Sequence, residues 1–86
     1  MNQKLTVLYF AWLRERVGTA EETIDLPAPL PVSDLIGILA ARSAGHAAAF
    51  ENRRTIRCAI NQEFADPSAL VNAGDEIAFF PPVTGG

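Results

Sequence analysis

The chain has 86 residues, of which 49% are hydrophobic, and this composition is typical of one small globular domain with a modest core. Its formal net charge of −3 argues against nucleic-acid binding. Three arginines are close in sequence, Arg53, Arg54 and Arg57, and we interpret them as solvated surface or as a partner contact. The single cysteine and the lack of an apolar run near the roughly 20 residues of a membrane span predict a soluble, cytoplasmic protein without a membrane partner.

A strand and a short helix are predicted at the start of the chain. The segment Lys4–Phe10 reads KLTVLYF and is rich in the β-branched and aromatic residues that strands favour. Because side chains alternate along a strand, the odd-numbered residues share one face, whereas Leu8 and Phe10 lie on the other. A short helix over Ala11–Val17 follows, and Gly18 is its expected C-cap.

A second strand, a connector and the main helix are predicted next. The alternation in Glu22–Leu26 indicates a strand, and Pro27, Pro29 and Pro31 then predict a stiff connector without regular structure. Helical spacing runs over Val32–Ala44. The expected buried stripe of this helix consists of Val32, Leu35, Ile36 and Leu39.

The ends of the main helix are marked by polar and small residues. Ser33, or a residue just before it, is the expected N-cap, and Asp34 suits the first turn. Gly45 is expected to interrupt the helix. The segment His46–Phe50 is then either one more helical turn or a loop.

Three more strands are predicted in the second half of the chain. Thr55–Asn61 is the first, with Cys58 as a small core residue, and Phe64–Ala65 is a short second one. Leu70–Val71 is expected to pack after a loop. The last strand covers Glu76–Phe80, and alternation turns its even-numbered residues to the face that carries Leu8 and Phe10.

The order of elements predicts an α+β fold in which the main helix covers one face of a sheet. The opposite face would then expose Leu8, Phe10 and Phe80. An apolar patch of this kind on a small protein is typical of an interface, although loops that cover it are the alternative.

Residues that could form a catalytic set are scarce. His46 is the only histidine, and no cysteine or carboxylate stands at metal-ligand spacing from it, so we predict a surface position. The internal glycines are isolated, and no serine lies in a nucleophile elbow. We therefore predict that the chain is not an enzyme by itself and binds no metal or cofactor.

The chain ends in Phe79-Phe80-Pro81-Pro82-Val83-Thr84-Gly85-Gly86. Proline cannot donate to a sheet ladder, so Pro81 and Pro82 end the last strand and stiffen the start of the tail. Gly85 and Gly86 have no side chains and make a slim tip that bears the terminal carboxylate. This ending suits chemistry that another protein performs on the C-terminus, and an inert tail is the alternative.

A resemblance to a known family extends over nearly the whole chain, and several blocks carry it. They are Val7–Ala11, Arg14–Glu15, Val17–Gly18, Ala59–Gln62 and Gly74–Gly86. In these blocks the chain resembles the small subunits of molybdopterin synthase, which are sulfur carriers of the ubiquitin-like β-grasp family. The resemblance implies a single domain over residues 1–86, a mixed sheet with one main helix on one face, and a projecting tail over residues 81–86. It assigns no role to Arg14, to Glu15 or to Ala40–Arg54.

The resemblance also implies a chemical role for the terminal carboxylate of Gly86. A ubiquitin-activating-like adenylyltransferase, which uses ATP, would adenylate it, and a persulfide-derived sulfur would displace AMP to leave a thiocarboxylate. The tail would then enter the large subunit of a heterotetrameric molybdopterin synthase and donate sulfur to cyclic pyranopterin monophosphate, forming the dithiolene of molybdopterin. The residues implied in tail insertion are Pro81, Pro82, Val83, Thr84 and Gly85. The residues implied in the partner interface are Phe10, Phe64 and Phe80.

Two related roles remain open at this point. The sulfur carriers of thiamine biosynthesis share the fold and the Gly-Gly ending, and ubiquitin-like modifiers use the same ending to join target lysines. The helix after the first strand and the Phe-Phe-Pro-Pro-Val-Thr block favour the molybdopterin role.

Overall fold

A five-stranded mixed sheet forms the centre of the computed structural model, which describes residues 3–82. The strands of the described chain are β1 (Lys4–Tyr9), β2 (Glu21–Asp25), β3 (Leu30–Pro31), β4 (Arg57–Ile60), β5 (Glu63–Ala65), β6 (Leu70–Val71) and β7 (Glu76–Phe80). The large sheet has the order β2-β1-β7-β4-β5, and its β1–β7 pair is parallel whereas its other neighbours are antiparallel. The short strands β3 and β6 pair separately.

Three α-helices accompany the sheet in the described chain. They are α1 (Trp12–Val17), α2 (Val32–Ala40) and α3 (Ala44–Ala49), and a 3-10 turn covers Arg53–Thr55. The longest is α2, which packs on one face of the sheet and confirms the predicted α+β arrangement. None of the helices within residues 3–82 has the length and apolar content that crossing a bilayer requires.

The predicted start of the main helix at Val32 is confirmed, but its predicted end at Ala44 is wrong. The helix α2 follows Pro31, and no side chain caps it, so Ser33 does not act as its N-cap. It stops at Ala40 because Ser43 starts a new helix, where the Ser43 hydroxyl accepts a hydrogen bond from the backbone N–H of His46 at 3.1 Å. Gly45 therefore lies inside α3 and does not interrupt α2.

The core confirms the predicted faces of β1, β7 and α2. The fully or nearly buried residues of these elements are Leu5, Val7, Tyr9, Val32, Leu35, Ile36, Leu39, Ile77 and Phe79. Cys58 is also buried, as expected for a small core residue. Leu70 is an exception, because it points away from the core while its neighbour Val71 is buried. Pro31 also departs from the prediction, since it belongs to β3 and pairs with Leu70.

The last strand lies in the middle of the sheet. On one side β7 pairs with β1, where Phe79 lies opposite Tyr9, and on the other side it pairs with β4, where Phe80 lies opposite Arg57. The backbone N–H of Phe10 donates to the carbonyl of Phe79 at 3.1 Å and extends this pairing past β1. The point where the chain leaves the sheet is therefore held from both sides.

A polar network links β1 and β2 to α3, and it shows that the predicted surface position of His46 is wrong. His46 is buried, and its Nε2 lies 2.7 Å from Oε2 of Glu22. The same oxygen accepts a hydrogen bond from the Tyr9 hydroxyl at 2.8 Å, and Arg42 lies 3.2 Å from the other carboxylate oxygen. The Ser43 hydroxyl lies 2.7 Å from Nδ1 of His46 and completes the chain of contacts.

The network holds Glu22 in its charged form. Burial alone would raise the pKa of the Glu22 carboxyl. This effect is outweighed by the hydrogen bonds from His46 and Tyr9 and by the positive charge of His46 and Arg42, so the pKa is lowered below 4.5. Burial, together with the hydrogen bond to Glu22 and its negative charge, raises the pKa of Tyr9 well above its usual range. Tyr9 therefore acts only as a hydrogen-bond donor in this network.

We predict that Glu22→Gln lowers the free energy of unfolding by about 1.5 kcal/mol at pH 7, because charge-assisted hydrogen bonds are lost. Because the pKa of Glu22 is lower in the folded state than in the unfolded state, its carboxylate stabilises the fold at pH values above the unfolded-state pKa. This stabilisation is lost as the pH falls through the folded-state pKa. The deficit of the variant should therefore shrink below pH 4.5. Urea unfolding at pH 7, 5.5 and 4 measures the difference in unfolding free energy between the variant and the unmodified chain. The control is Glu21→Gln, because Glu21 is the exposed neighbour of Glu22. A deficit of equal size at pH 7 and pH 4 would contradict this assignment.

A second prediction concerns the contact between α1 and α3. A Cβ atom on Gly45 would collide with the backbone carbonyl of Arg16, whereas a Cβ on Gly37 would have Nη2 of Arg53 as its nearest neighbour at 3.7 Å. Gly45→Ala should therefore cost about 1–3 kcal/mol of unfolding free energy, and Gly37→Ala should add up to about 1 kcal/mol through helix propensity. The two urea midpoints should move in opposite directions. Equal effects of the two substitutions would show that the packing at Gly45 is not restrictive.

Candidate functional site: the outer sheet face and the base of the tail

The face of the sheet opposite α2 carries an apolar row that crosses four strands. In the strand register Leu8 lies opposite Ala78, Ala78 lies opposite Ala59, and Ala59 lies opposite Phe64. The two central positions are alanines, so the middle of the row lies lower than its two ends. We call this surface, together with the adjoining Phe10 and Phe80, the outer face.

The aromatic side chains of the outer face are open to solvent. The side chain of Phe64 is 84% exposed, and that of Phe10 is 48% exposed. The ring of Phe80 is half-buried and lies 5.9 Å from the ring of Phe64, between centroids. Burying a phenylalanine yields about 1.5–3 kcal/mol, so a surface that leaves these rings in water favours a partner that covers them.

A small cavity lies next to the two aromatic rings at the end of β7. Its volume is about 230 Å³, and Arg57, Phe64 and Phe80 line it together with Cys58 and Ala65. Arg57 lies opposite Phe80 in the sheet and adds a positive charge at the rim. The cavity is thus apolar inside and cationic at one edge, beside the strand that leads into the tail.

The tail begins at the edge of the outer face. Pro81 and Pro82 follow β7 directly and are half-buried. They have no backbone N–H, so they cannot extend the ladder with β1 or β4. The remaining predicted tail residues, Val83, Thr84, Gly85 and Gly86, lie outside the described residues. The structure thus positions the base of the predicted tail beside Phe80.

The side chains near the outer face provide no nucleophile or metal site in the described chain. Burial, with the negative charge of Asp66, raises the pKa of the Cys58 thiol, which donates to the carbonyl of Ala65 at 3.4 Å. Such a thiol stays protonated at neutral pH and is a poor nucleophile. Within residues 3–82 no group of His, Cys, Asp and Glu residues is arranged to hold a metal ion. Binding is the property that this surface supports.

The sequence prediction placed three residues in this site and missed others. The structure brings Phe64 and Phe80 together and places Phe10 beside the same strand. Alternation placed Ala78 on this face, but neither Ala78 nor Ala59 was named as an interface residue, because alanine has no strong signal of its own. Arg57 was interpreted as solvated surface or as a partner contact, and its place opposite Phe80 follows from the pairing of β4 with β7.

Proteins of known name resemble this chain over nearly its full length. The molybdopterin synthase sulfur carrier subunit of Escherichia coli is 42% identical over 84 residues, covering 95% of this chain and 99% of the relative. The subunit of the same name from Chlamydomonas reinhardtii is 38% identical over 85 residues, with coverage of 96% and 99%. Sequence similarity therefore extends across the whole length of these relatives.

The structural comparison agrees with the sequence comparison. The small archaeal modifier protein 1 of Haloferax volcanii superposes with a TM-score of 0.73 at 29% identity, covering 93% of this chain and 98% of that one. The ubiquitin-like β-grasp fold, with a mixed sheet and one main helix on one face, is thus confirmed. The model of the ThiS family matches residues 7–86. With this match over most of its length, the chain belongs to the ThiS family.

Proposed function

We propose that this chain is the sulfur carrier subunit of a molybdopterin synthase and that residues 1–86 act as one domain in the cytoplasm. The observation that carries the proposal is its 42% identity to a subunit of that name over nearly the full length of both chains. Two features support it. The family match extends to Gly86, and the described chain leads into the tail from a central strand.

The proposed working group is the terminal carboxylate of Gly86. A carboxylate is a poor electrophile because it is anionic and has no good leaving group. An adenylyltransferase partner would join it to the α-phosphate of ATP and release pyrophosphate, so that AMP becomes the leaving group. ATP belongs to that partner, and the carrier itself would bind no cofactor.

The activated carbonyl would then accept sulfur. The terminal sulfur of a persulfide attacks the carbonyl carbon, and the bond to AMP breaks. A thiol then attacks the persulfide's other sulfur and forms a disulfide with it, so that the S–S bond to the carrier breaks and a thiocarboxylate remains at Gly86. Gly85 and Gly86 leave the carbonyl open to attack, since neither has a Cβ atom that blocks the approach. The thiocarboxylate later gives up its sulfur to cyclic pyranopterin monophosphate, and water restores the carboxylate.

The outer face would bind the large subunit of the synthase while the tail enters the active site of that subunit. Phe10, Phe64 and Phe80 surround the base of the tail, so their burial against a partner fixes where the tail points. Pro81 and Pro82 cannot extend the sheet ladder, and Val83 and Thr84 add length to the tail. A dithiolene contains two sulfurs, so two charged carriers are used for each molecule of product.

We predict that the chain co-expressed with its adenylyltransferase and a persulfide donor carries a thiocarboxylate. Intact mass spectrometry should show one oxygen replaced by sulfur at Gly86. An added alanine after Gly86 should abolish this change because the new terminus no longer fits the activating site, whereas an added alanine at the other end of the chain should not. A terminus that stays an ordinary carboxylate under these conditions rules out the carrier chemistry.

A further prediction tests the outer face as the partner interface. Phe64→Asp should raise the Kd for the large subunit at least about tenfold, because a buried aromatic anchor is replaced by a charge. Phe10→Asp and Phe80→Asp should act in the same direction. The matched control is Ile38→Asp, because Ile38 is 50% exposed on α2, away from the outer face, and this change should leave the Kd within about twofold.

Isothermal titration calorimetry against the large subunit measures these affinities, and circular dichroism checks that each variant is folded. If folded Phe64→Asp bound the large subunit with unchanged affinity, or if Ile38→Asp lost as much affinity as Phe64→Asp, the interface would not lie on the outer face. These results would leave the thiocarboxylate assay unaffected, so the two parts of the proposal fail separately.

A ubiquitin-like protein modifier is the second candidate function. The structural similarity to the Haloferax volcanii small archaeal modifier protein 1 favours it. In this role the activated Gly86 carbonyl would react with a lysine amine of a target and form an isopeptide bond. Conjugates of the chain with other proteins in cells, absent when Gly86 is deleted, would support the modifier role.

A further inference from the structure

A second, larger cleft lies on the opposite side of the sheet from the outer face, near its β5 edge. Its volume is about 490 Å³. The helix α2 contributes Val32 and Ile36, and the inner face of the sheet contributes Phe79. Ile56, which lies between the 3-10 turn and β4, completes the apolar lining. The cleft marks the part of the inner face that α2 does not fully cover, so apolar side chains line a space that is open to solvent.

Three arginines surround the mouth of this cleft. Nη1 of Arg53 lies 3.4 Å from the carbonyl oxygen of Ser33 at the start of α2, and Nη1 of Arg57 donates to the carbonyl of Arg54 at 2.9 Å. No carboxylate within residues 3–82 lies within ion-pair distance of any of the three. Three uncompensated guanidinium groups around one cleft are unusual in a chain whose net charge is −3.

The single carboxylate among the lining residues is engaged elsewhere. Asp66 accepts hydrogen bonds from the backbone N–H and the hydroxyl of Ser68. Those hydrogen bonds lower the pKa of Asp66, so it stays charged without neutralising an arginine. The rim is therefore cationic on the side of the 3-10 turn and anionic at one point on the side of β5.

The cleft borders an open edge of the sheet. The strand β5 is the last in the sheet order and pairs only with β4 among the described strands. Ala65, Asp66 and Pro67 continue from this edge along the mouth of the cleft. An extended peptide lying along the edge would reach the apolar lining with one side and the arginines with the other.

We propose that this cleft is a docking site for an extended, acidic segment of a partner protein, which inserts apolar side chains between Arg53, Arg54 and Arg57 and pairs its carboxylates with them. A short acidic segment fits better than a nucleic acid, because a long polyanion would also lie against the acidic remainder of the surface. The cleft shares Arg57, Cys58 and Ala65 with the small cavity beside Phe80, but neither Leu8 nor Ala78 lines it, so a partner bound here would leave the Leu8–Ala78 part of the outer face free.

The test uses the full chain and a fluorescein-labelled heptapeptide in which leucines alternate with aspartates and glutamates. Fluorescence anisotropy should show saturable binding that weakens as salt is added. Amide NMR shifts should change at Ile36, Arg54 and Asp66, which line only this cleft, and remain constant at Leu8 and Glu21. The same peptide with asparagine and glutamine in place of the acidic residues should bind at least about threefold more weakly, in line with exposed ion pairs.

The matched variants are Arg54→Gln and Arg14→Gln, because both arginines are exposed and neither side chain has an ion pair within the described chain. Arg54→Gln should raise the Kd for the peptide about threefold or more, and Arg14→Gln should leave it unchanged. The proposal would be overturned if the peptide did not bind, or if its Kd were the same without the acidic residues and in Arg54→Gln. Amide shift changes at Leu8 rather than at the cleft would also overturn it. Tighter binding of octanoate or of a single-stranded oligonucleotide would overturn the assignment to a protein segment.

Discussion

The position of β7 in the middle of the sheet is the constraint on which the rest of the molecule depends. The strand is hydrogen-bonded to β1 and to β4, and its inward residues Ile77 and Phe79 are fully buried. The chain therefore leaves the sheet from its most firmly held strand, and Pro81 and Pro82 stop the ladder at that point. The base of the tail cannot shift without opening the core, so the position of Pro81 is fixed by the sheet.

The same constraint supports the proposal that a partner binds the outer face. Alternation along β7 buries Phe79 and turns Phe80 outwards. The residue that anchors the strand and the residue that we propose for partner contact are therefore neighbours in sequence. A partner that binds Phe80 and Phe64 thereby also locates the start of the tail. In this proposal the outer face would supply the binding area and fix the direction of the tail, and the chemistry would belong to the terminus and to the partner enzymes.

Much of this architecture is predictable from local patterns, because burial follows periodicity in β1, β7 and the first two turns of α2. The parts that were missed depend on contacts between distant segments. His46 was assigned to the surface because its partner Glu22 is 24 residues away, and no spacing rule joins them. The end of α2 depends on the competing cap at Ser43. The outer row could be found only after the register joined Ala59 to Phe64.

The central claim, that the chain delivers sulfur from its own terminus, can be tested by a single-turnover experiment. Carrier labelled with radioactive sulfur at Gly86 is mixed with the large subunit and cyclic pyranopterin monophosphate, and the label in the pterin product is counted. The account predicts that the label passes into the dithiolene and that two carriers are consumed for each molybdopterin formed. Product that forms without the label, or label that stays on the carrier while product accumulates, would contradict it.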